Sequence, residues 1–328
     1  MASSILPALS AVLVTRAGAR PLADVWPTLR AQTIADRIEV LVVGPARSLA
    51  ADPPSPTGFH AVRLVALEEI RSMAHAAAEG ARRAAAPIVA FVEDHVLLDS
   101  EWARALVDAH EGGWAVVGPV VRIANPKSRV GWADFVLGYG PFAEPHAGGP
   151  VSLLPGHNSC YRRDVLLAQG ERLEEALAAE TVFHWDLARA GARLLLEPRA
   201  RIAHLDFERI RPWIAAMYLS GRVFGARRAA RWPAPWRLAY ALASPLVPVI
   251  RLWRAVRDAR RIGMPPTALP ALLAGLLADG AGQAVGALAG AGRAAERMAD
   301  YEFERSRFAR RAAMRPAPSA APSAAEAK

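Results

Sequence analysis

The strongest constraint in this sequence is a rhythm in its N-terminal part. Short apolar runs rich in β-branched residues alternate with segments whose apolar residues recur at helical spacing. Residues 8–15 (ALSAVLVT), 38–43 (IEVLVV), 62–67 and 88–92 (IVAFV) are too short for buried helices and read as buried strands. Between them, residues 21–32 carry Leu22, Val25, Trp26 and Leu29 at helical intervals. Residues 50–58 are proline-rich and read as a loop, and the alanine-rich stretch 68–86 reads as a helix that stops before Pro87. This succession predicts an α/β fold, a mostly parallel sheet flanked by helices. Ligands of such sheets bind at the carboxyl ends of the strands. Glu93-Asp94-His95 follows the 88–92 run at that end.

The spacing continues with a strand over 114–123, a helix beginning near Arg163, a helix over 180–190 and short strands over 193–196 and 202–204. Residues 124–150 are rich in Gly, Pro and aromatics with few periodic signals, and read as a loop region on the substrate side. Composition changes after about residue 209, where arginines crowd beside Trp213, Trp232, Trp236 and Trp253. Residues 262–292 are apolar and rich in Gly and Ala, with Asp279 as the one formal charge. The sequence thus divides into a domain over 1–208, a basic, apolar, helical membrane-associating region over 209–310, and an Ala/Pro/Ser-rich tail over 311–328 that reads as disordered.

Charge narrows the partners. The formal charge is +9, almost all of the basic residues being arginine. Such a surplus suits nucleic acid, anionic lipid or phosphorylated ligands. Because the arginines stand beside apolar, Trp-bearing segments, the expected partner is an anionic membrane surface rather than nucleic acid. Residues 262–292 are long enough to span a bilayer at about 1.5 Å per residue, but their Gly, Ala and Pro content favours an interfacial or re-entrant placement. Flanking arginines favour the cytoplasmic face. The apolar stretch 5–14 lacks a preceding Lys or Arg and reads as the first strand rather than a signal peptide. Cys160 is the sole cysteine, which excludes an intramolecular disulfide and a zinc site of paired cysteines. Gly280, Gly282 and Gly286 follow a helix-like run rather than a strand, so they do not form a dinucleotide loop.

Glu93, Asp94 and His95 are three metal-capable side chains at one strand end. A hard divalent ion, Mg²⁺ or Mn²⁺, takes oxygen ligands and bridges to a diphosphate, and Mn²⁺ tolerates imidazole better. The order of motifs resembles glycosyltransferase family 2, whose members have the A-type glycosyltransferase fold. SAVLVT, Ala31-Gln32-Thr33 and IEVLVV resemble that family's first βαβ unit, and residues 76–84 followed by IVAFVEDH resemble its approach to the Asp-x-Asp metal motif. Pro155-Gly156-His157-Asn158 with Cys160-Tyr161-Arg162-Arg163 resembles its acceptor-side segment. Ala179-Glu180-Thr181 stands where the family carries Glu-Asp, and Gly191, Pro198 and His204 match its closing pattern. The resemblance covers residues 8–208, with departures at Gly44-Pro45, at Ala77-Ala78 and in both acidic motifs.

The resemblance implies metal-assisted transfer of a sugar from a nucleoside-diphosphate sugar to a hydroxyl of a glycan or lipid-linked acceptor, with inversion, in cell-envelope or polysaccharide synthesis. It implies Glu180 as the catalytic base, with His184 or Asp186 as alternatives. Glu93, His95 and His204 would be ligands of the divalent cation. Thr15 and Asp94 would hold the donor, and His157, Asn158 and Arg163 the acceptor or sugar. The altered motifs also admit a degenerate relative that binds or scaffolds without turnover.

Overall fold

The computed structural model describes residues 6–303 and 305–309. The strands are β1 (Leu9–Val14), β2 (Ile38–Pro45), β3 (Ala61–Leu67), β4 (Ile88–Val92), β5 (Val96–Leu98), β6 (Val116–Ile123), β7 (Gly149–Val151), β8 (Cys160–Arg162) and β9 (Leu194–His204). They form one nine-stranded sheet in the order β3-β2-β1-β4-β8-β6-β9-β5, with β7 also on β9. Pairing is parallel from β3 to β4 and between β6 and β9. The short β8 runs antiparallel between β4 and β6. Every residue of β1 and β4 is buried, as expected of strands covered on both faces.

Local chemistry accounts for the places where the elements differ from the sequence reading. The helix expected over 68–86 spans Met73–Arg83, because the Ser72 hydroxyl caps it by accepting from the His75 amide at 3.0 Å. The stretch 21–32 breaks into a 3-10 turn, Arg20–Ala23, and a helix, Val25–Arg30. The region expected to be a loop over 124–150 holds a helix, Arg129–Tyr139, capped by Ser128. Gly131, Ala133, Phe135 and Val136 of that helix are buried, so it lacks the polar face that makes a helix visible in sequence. The two short strands near the end of the sheet are one strand, β9, whose register on β6 shifts between Pro119 and Val120.

Helices Ile210–Ala229, Ala234–Ala243, Leu246–Arg261, Leu269–Ala289 and Ala294–Phe303 follow. The first and fourth pack backbone to backbone. A side chain at Gly221 or Gly225 would collide with the backbone of Asp279 or Gln283, and one at Gly282 or Gly286 with that of Tyr218 or Arg222. Small residues one turn apart are what allow such an approach. Phe207, Trp213, Ala255 and Leu272 share a second core with Ala133 and Val136, which joins these helices to the Arg129–Tyr139 helix. The segment 311–328 lies outside the described residues.

Candidate active site

The C-terminal end of β4 delivers Glu93, and the turn after it delivers Asp94 and His95. β9 ends on His204. Because β5 pairs with β9 so that Val96 faces His204, the two histidines meet, with ring centroids 4.9 Å apart. One ligand atom from each of Glu93, His95 and His204 lies within 4.8 Å of the others, and all three side chains are buried. The His95 Nε2 is 3.6 Å from one Glu93 oxygen, and the His204 Nε2 is 3.4 Å from the other.

The hydrogen bonds behind the rings decide what these nitrogens can do. His95 Nδ1 lies 2.8 Å from Asp94 Oδ1, and His204 Nδ1 lies 3.0 Å from Asp206 Oδ1. A carboxylate on Nδ1 fixes the N–H there and leaves the Nε2 lone pair for an ion, the usual arrangement behind metal-bound imidazole. Both Nε2 atoms are buried without a hydrogen-bond partner among the described residues. The donor set therefore fits a divalent cation: one carboxylate and two imidazoles, oriented from behind and unsatisfied in front.

The second layer holds Glu93. The Asn158 amide donates to Glu93 Oε2 at 2.6 Å, and the Tyr139 hydroxyl donates to the same oxygen at 3.1 Å. Burial alone raises the Glu93 pKa, but His95 and His204 outweigh it and hold the carboxyl well below its usual range. Burial lowers the His204 imidazole, yet Asp206 and Glu93 carry it up to about 9.

Glu93 and His204 open onto a cavity of about 950 Å³. His157 and Glu180 line it as well, with the His157 Nδ1 3.3 Å from Glu180 Oε2. Gly156 lies against this carboxylate, and any side chain there would collide with it, which explains the glycine in Pro-Gly-His-Asn. Burial raises Glu180 to about 7, with Glu93 and Glu302 adding to the shift and His157 opposing it. His157 faces the cavity with 40% of its side chain exposed. Burial lowers its pKa, but Glu180 and Glu302 raise it to about 9.

The remaining sequence candidates fall elsewhere. Thr15 follows β1, but its hydroxyl donates to the Gly18 carbonyl at 2.8 Å and shapes the turn. The Asp94 carboxylate is turned to His95, and the Asn158 amide to Glu93, rather than to the cavity. The Arg163 amide bonds the Pro87 carbonyl, so Arg163 sits at the end of β4 opposite Glu93. The antiparallel course of β8 puts it there. His184 is bound to the Tyr161 hydroxyl at 2.7 Å in the core, and burial lowers its pKa to about 4. Asp186 pairs with Arg189.

Sequence reasoning missed Tyr139, Asp206, Glu302 and Arg305. Asp206 stands two residues beyond His204, a His-x-Asp spacing that carried a usable signal. Tyr139 was hidden in the expected loop. Glu302 and Arg305 reach the cavity only because the C-terminal helices return to it.

No family model and no curated protein matches the sequence. Solved structures do resemble it. One is the mannosyltransferase PcManGT from Pyrobaculum calidifontis in complex with GDP-Man and Mn²⁺, with 18% identity, 85% of this chain and 87% of that chain covered, and a TM-score of 0.51. GalNAc-T7 with UDP, GalNAc and Mn²⁺ gives 14% identity, 62% and 44% coverage and a TM-score of 0.45. S. aureus TarS 1-349 in complex with UDP gives 16%, 67% and 64%, and 0.44. The chain thus spans less than half of GalNAc-T7. The likeness to the mannosyltransferase shows the fold: it is the A-type glycosyltransferase fold.

Proposed function

We propose that this chain is a family 2 glycosyltransferase that moves a sugar from a nucleoside-diphosphate sugar to an acceptor hydroxyl, with inversion. One observation carries the reading: a trio of two imidazoles and a carboxylate, each oriented from behind, presents Glu93 and His204 to the same large cavity that a separate carboxylate, Glu180, lines. Glu93, His95 and His204 hold a divalent cation, whose chemistry is to neutralise charge on a departing diphosphate. Glu180 takes the proton of the acceptor hydroxyl. The freed oxygen attacks the anomeric carbon, and the bond from that carbon to the diphosphate oxygen breaks on the opposite side. His157 holds Glu180 in place through their ion pair. The mannosyltransferase neighbour, which carries GDP-Man with Mn²⁺, supports a donor of this class.

The acceptor in this reading is membrane-borne and lipid-linked, and the product belongs to the cell envelope or a surface polysaccharide. Three adjacent helices support it. Trp236 is 68% exposed, Leu242 72% and Trp253 70%. On the Leu246–Arg261 helix, Leu246, Val249, Ile250 and Trp253 share one exposed stripe that runs on into Arg257 and Arg260. An apolar stripe ending in arginines suits an anionic membrane surface, approached from the cytoplasmic face. The helix Pro266–Ala289 has a mean hydropathy of 1.4 but is half buried inside the molecule. Its glycine face is used against Ile210–Ala229, so an interfacial placement suits it better than a span.

A transfer assay tests the enzymatic reading. Incubation with a panel of nucleotide sugars, Mn²⁺ and detergent-dispersed membrane lipid should yield a glycosylated lipid whose anomeric configuration, read by NMR, is inverted relative to the donor. Nucleotide-sugar binding with no transfer or hydrolysis of any donor would instead identify a binding protein on the same fold.

A further inference from the structure

We propose that Arg305, supplied by the C-terminal helical segment, is a ligand of the donor's diphosphate. The inference rests on the reading of the cavity as a nucleotide-sugar site. Arg305 lies outside the portion that resembles family 2, and nothing in its local sequence marks it. The chain nevertheless brings it to the cavity wall beside Glu93 and His204.

Its surroundings are unusual for a structural arginine. The guanidinium is buried, 4.0 Å above the Phe207 ring, with one Nη 3.2 Å from Asp134. Its Nε is buried with no hydrogen-bond partner among the described residues. Asp134 does not depend on it, since that carboxylate also accepts from the Trp213 indole at 2.9 Å and the Phe207 amide at 3.0 Å. A buried donor without a partner is costly unless something occupies it.

Charge identifies the occupant. Burial opposes the charge of Arg305, but Asp134, Glu93, Asp206 and Glu302 outweigh it, so the wall around it is acidic. A diphosphate would be repelled from such a wall unless cations met it. A divalent ion on Glu93 and the two histidines supplies part of that charge, and Arg305 supplies the next. A guanidinium presents a planar fork of donors that matches phosphate oxygens. Of the other arginines of the cavity, Arg251 pairs with Asp279 and Arg228 lies over Trp185 and Tyr240, while Arg254 is exposed on the Leu246–Arg261 helix.

The segment is also fastened where a donor would enter. Arg16, just beyond the carboxyl end of β1, pairs with Asp300 at 2.6 Å and lies 4.4 Å over the Phe303 ring. The Phe308 carbonyl accepts from the Glu208 amide at 2.8 Å. These contacts fix the helix ends on both sides of Arg305.

The test is calorimetry on the full-length chain with Mn²⁺, using UDP and GDP and, as controls, uridine and guanosine. Arg305→Gln should weaken the diphosphate that the wild type binds by about 10- to 100-fold, the scale of a hydrogen bond to a charged group. Arg305→Lys should recover part of the loss, and nucleoside affinity should hold. Arg16→Gln, which frees the segment without touching the guanidinium, should weaken the diphosphate selectively as well and serves if the Arg305 variants fail to fold. Wild-type binding matched by Arg305→Gln, or equal losses for nucleoside and diphosphate, would overturn the role of Arg305 alone. Failure of the wild type to bind either diphosphate would overturn the donor-site reading and this inference with it.

Discussion

Asn158 grips Glu93 from two directions: its amide nitrogen donates to the Glu93 carboxylate at 2.6 Å, and its amide oxygen accepts from the Glu93 backbone N–H at 3.4 Å. The residue expected to touch a sugar is thus the one that aims the carboxylate of the trio. Asn158→Ala should lower Mn²⁺ affinity by about 10- to 100-fold, the usual effect of losing an outer partner of a metal ligand. Titration of Mn²⁺, followed by the spectrum of the free ion, measures this. Unchanged affinity would show that Tyr139 alone suffices to hold Glu93.

Glu180 should control the acid side of the rate profile. Burial raises its pKa to about 7, and a base works only as the carboxylate. Transfer should therefore fall as pH drops through about 7. Glu180→Gln should cut turnover by about 10²- to 10⁴-fold, remove this limb, and leave donor affinity nearly unchanged. A variant that keeps both rate and limb would move the base elsewhere; His184, held at about 4 and tied to Tyr161, could not account for a limb near neutrality.

Metal affinity should itself depend on pH. Asp206 and Glu93 overcome the effect of burial and raise the ion-free His204 to about 9, so below that pH the ring carries a proton that an ion must displace. Binding should strengthen as pH rises, by up to about tenfold per unit, and level off once the ring is neutral. Asp206→Asn removes the main charge that holds the proton and should flatten the dependence. A pH-independent Mn²⁺ affinity between pH values of about 6 and 8 would contradict this account of the ring.

The exposed stripe on the Leu246–Arg261 helix should be the membrane contact. Trp253→Glu combined with Val249→Glu places charge on side chains that already face solvent and do not line the cavity, so the fold should tolerate it. Sedimentation with vesicles containing phosphatidylserine should fall sharply, while nucleotide binding and thermal stability persist. Retention of vesicle binding by this variant would assign the contact to another face.

Much of the sheet was legible because β1, β2 and β4 are continuous runs buried on both faces, a pattern that short helices rarely imitate. The trio was legible only in outline. Glu93 and His95 are neighbours in sequence, but His204 joins them through the pairing of β5 with β9, and β5 is too short to announce itself. The place of Arg163 was hidden for a related reason. A residue close to Asn158 in sequence is carried to the far end of β4, and only the direction of β8 decides that. The glycines of the Leu269–Ala289 helix were readable as not forming a nucleotide loop, but their packing on Ile210–Ala229 needs a partner that local sequence does not name. Tyr139 lay in a helix without a clear polar face, and Glu302 and Arg305 reach the cavity only through the long-range return of the C-terminal helices.

The most direct measurement of the central claim is nucleotide binding with and without the ion. Calorimetric titration of UDP and GDP into the full-length chain should show at least one of them binding about tenfold or more tightly with Mn²⁺ than in excess EDTA, the worth of one good charge-assisted contact. The double variant His95→Ala, His204→Ala should lose that gain while keeping its EDTA-level affinity. Equal affinity with and without Mn²⁺ for both nucleotides, or a gain that survives in the double variant, would contradict a metal-dependent donor site at Glu93, His95 and His204.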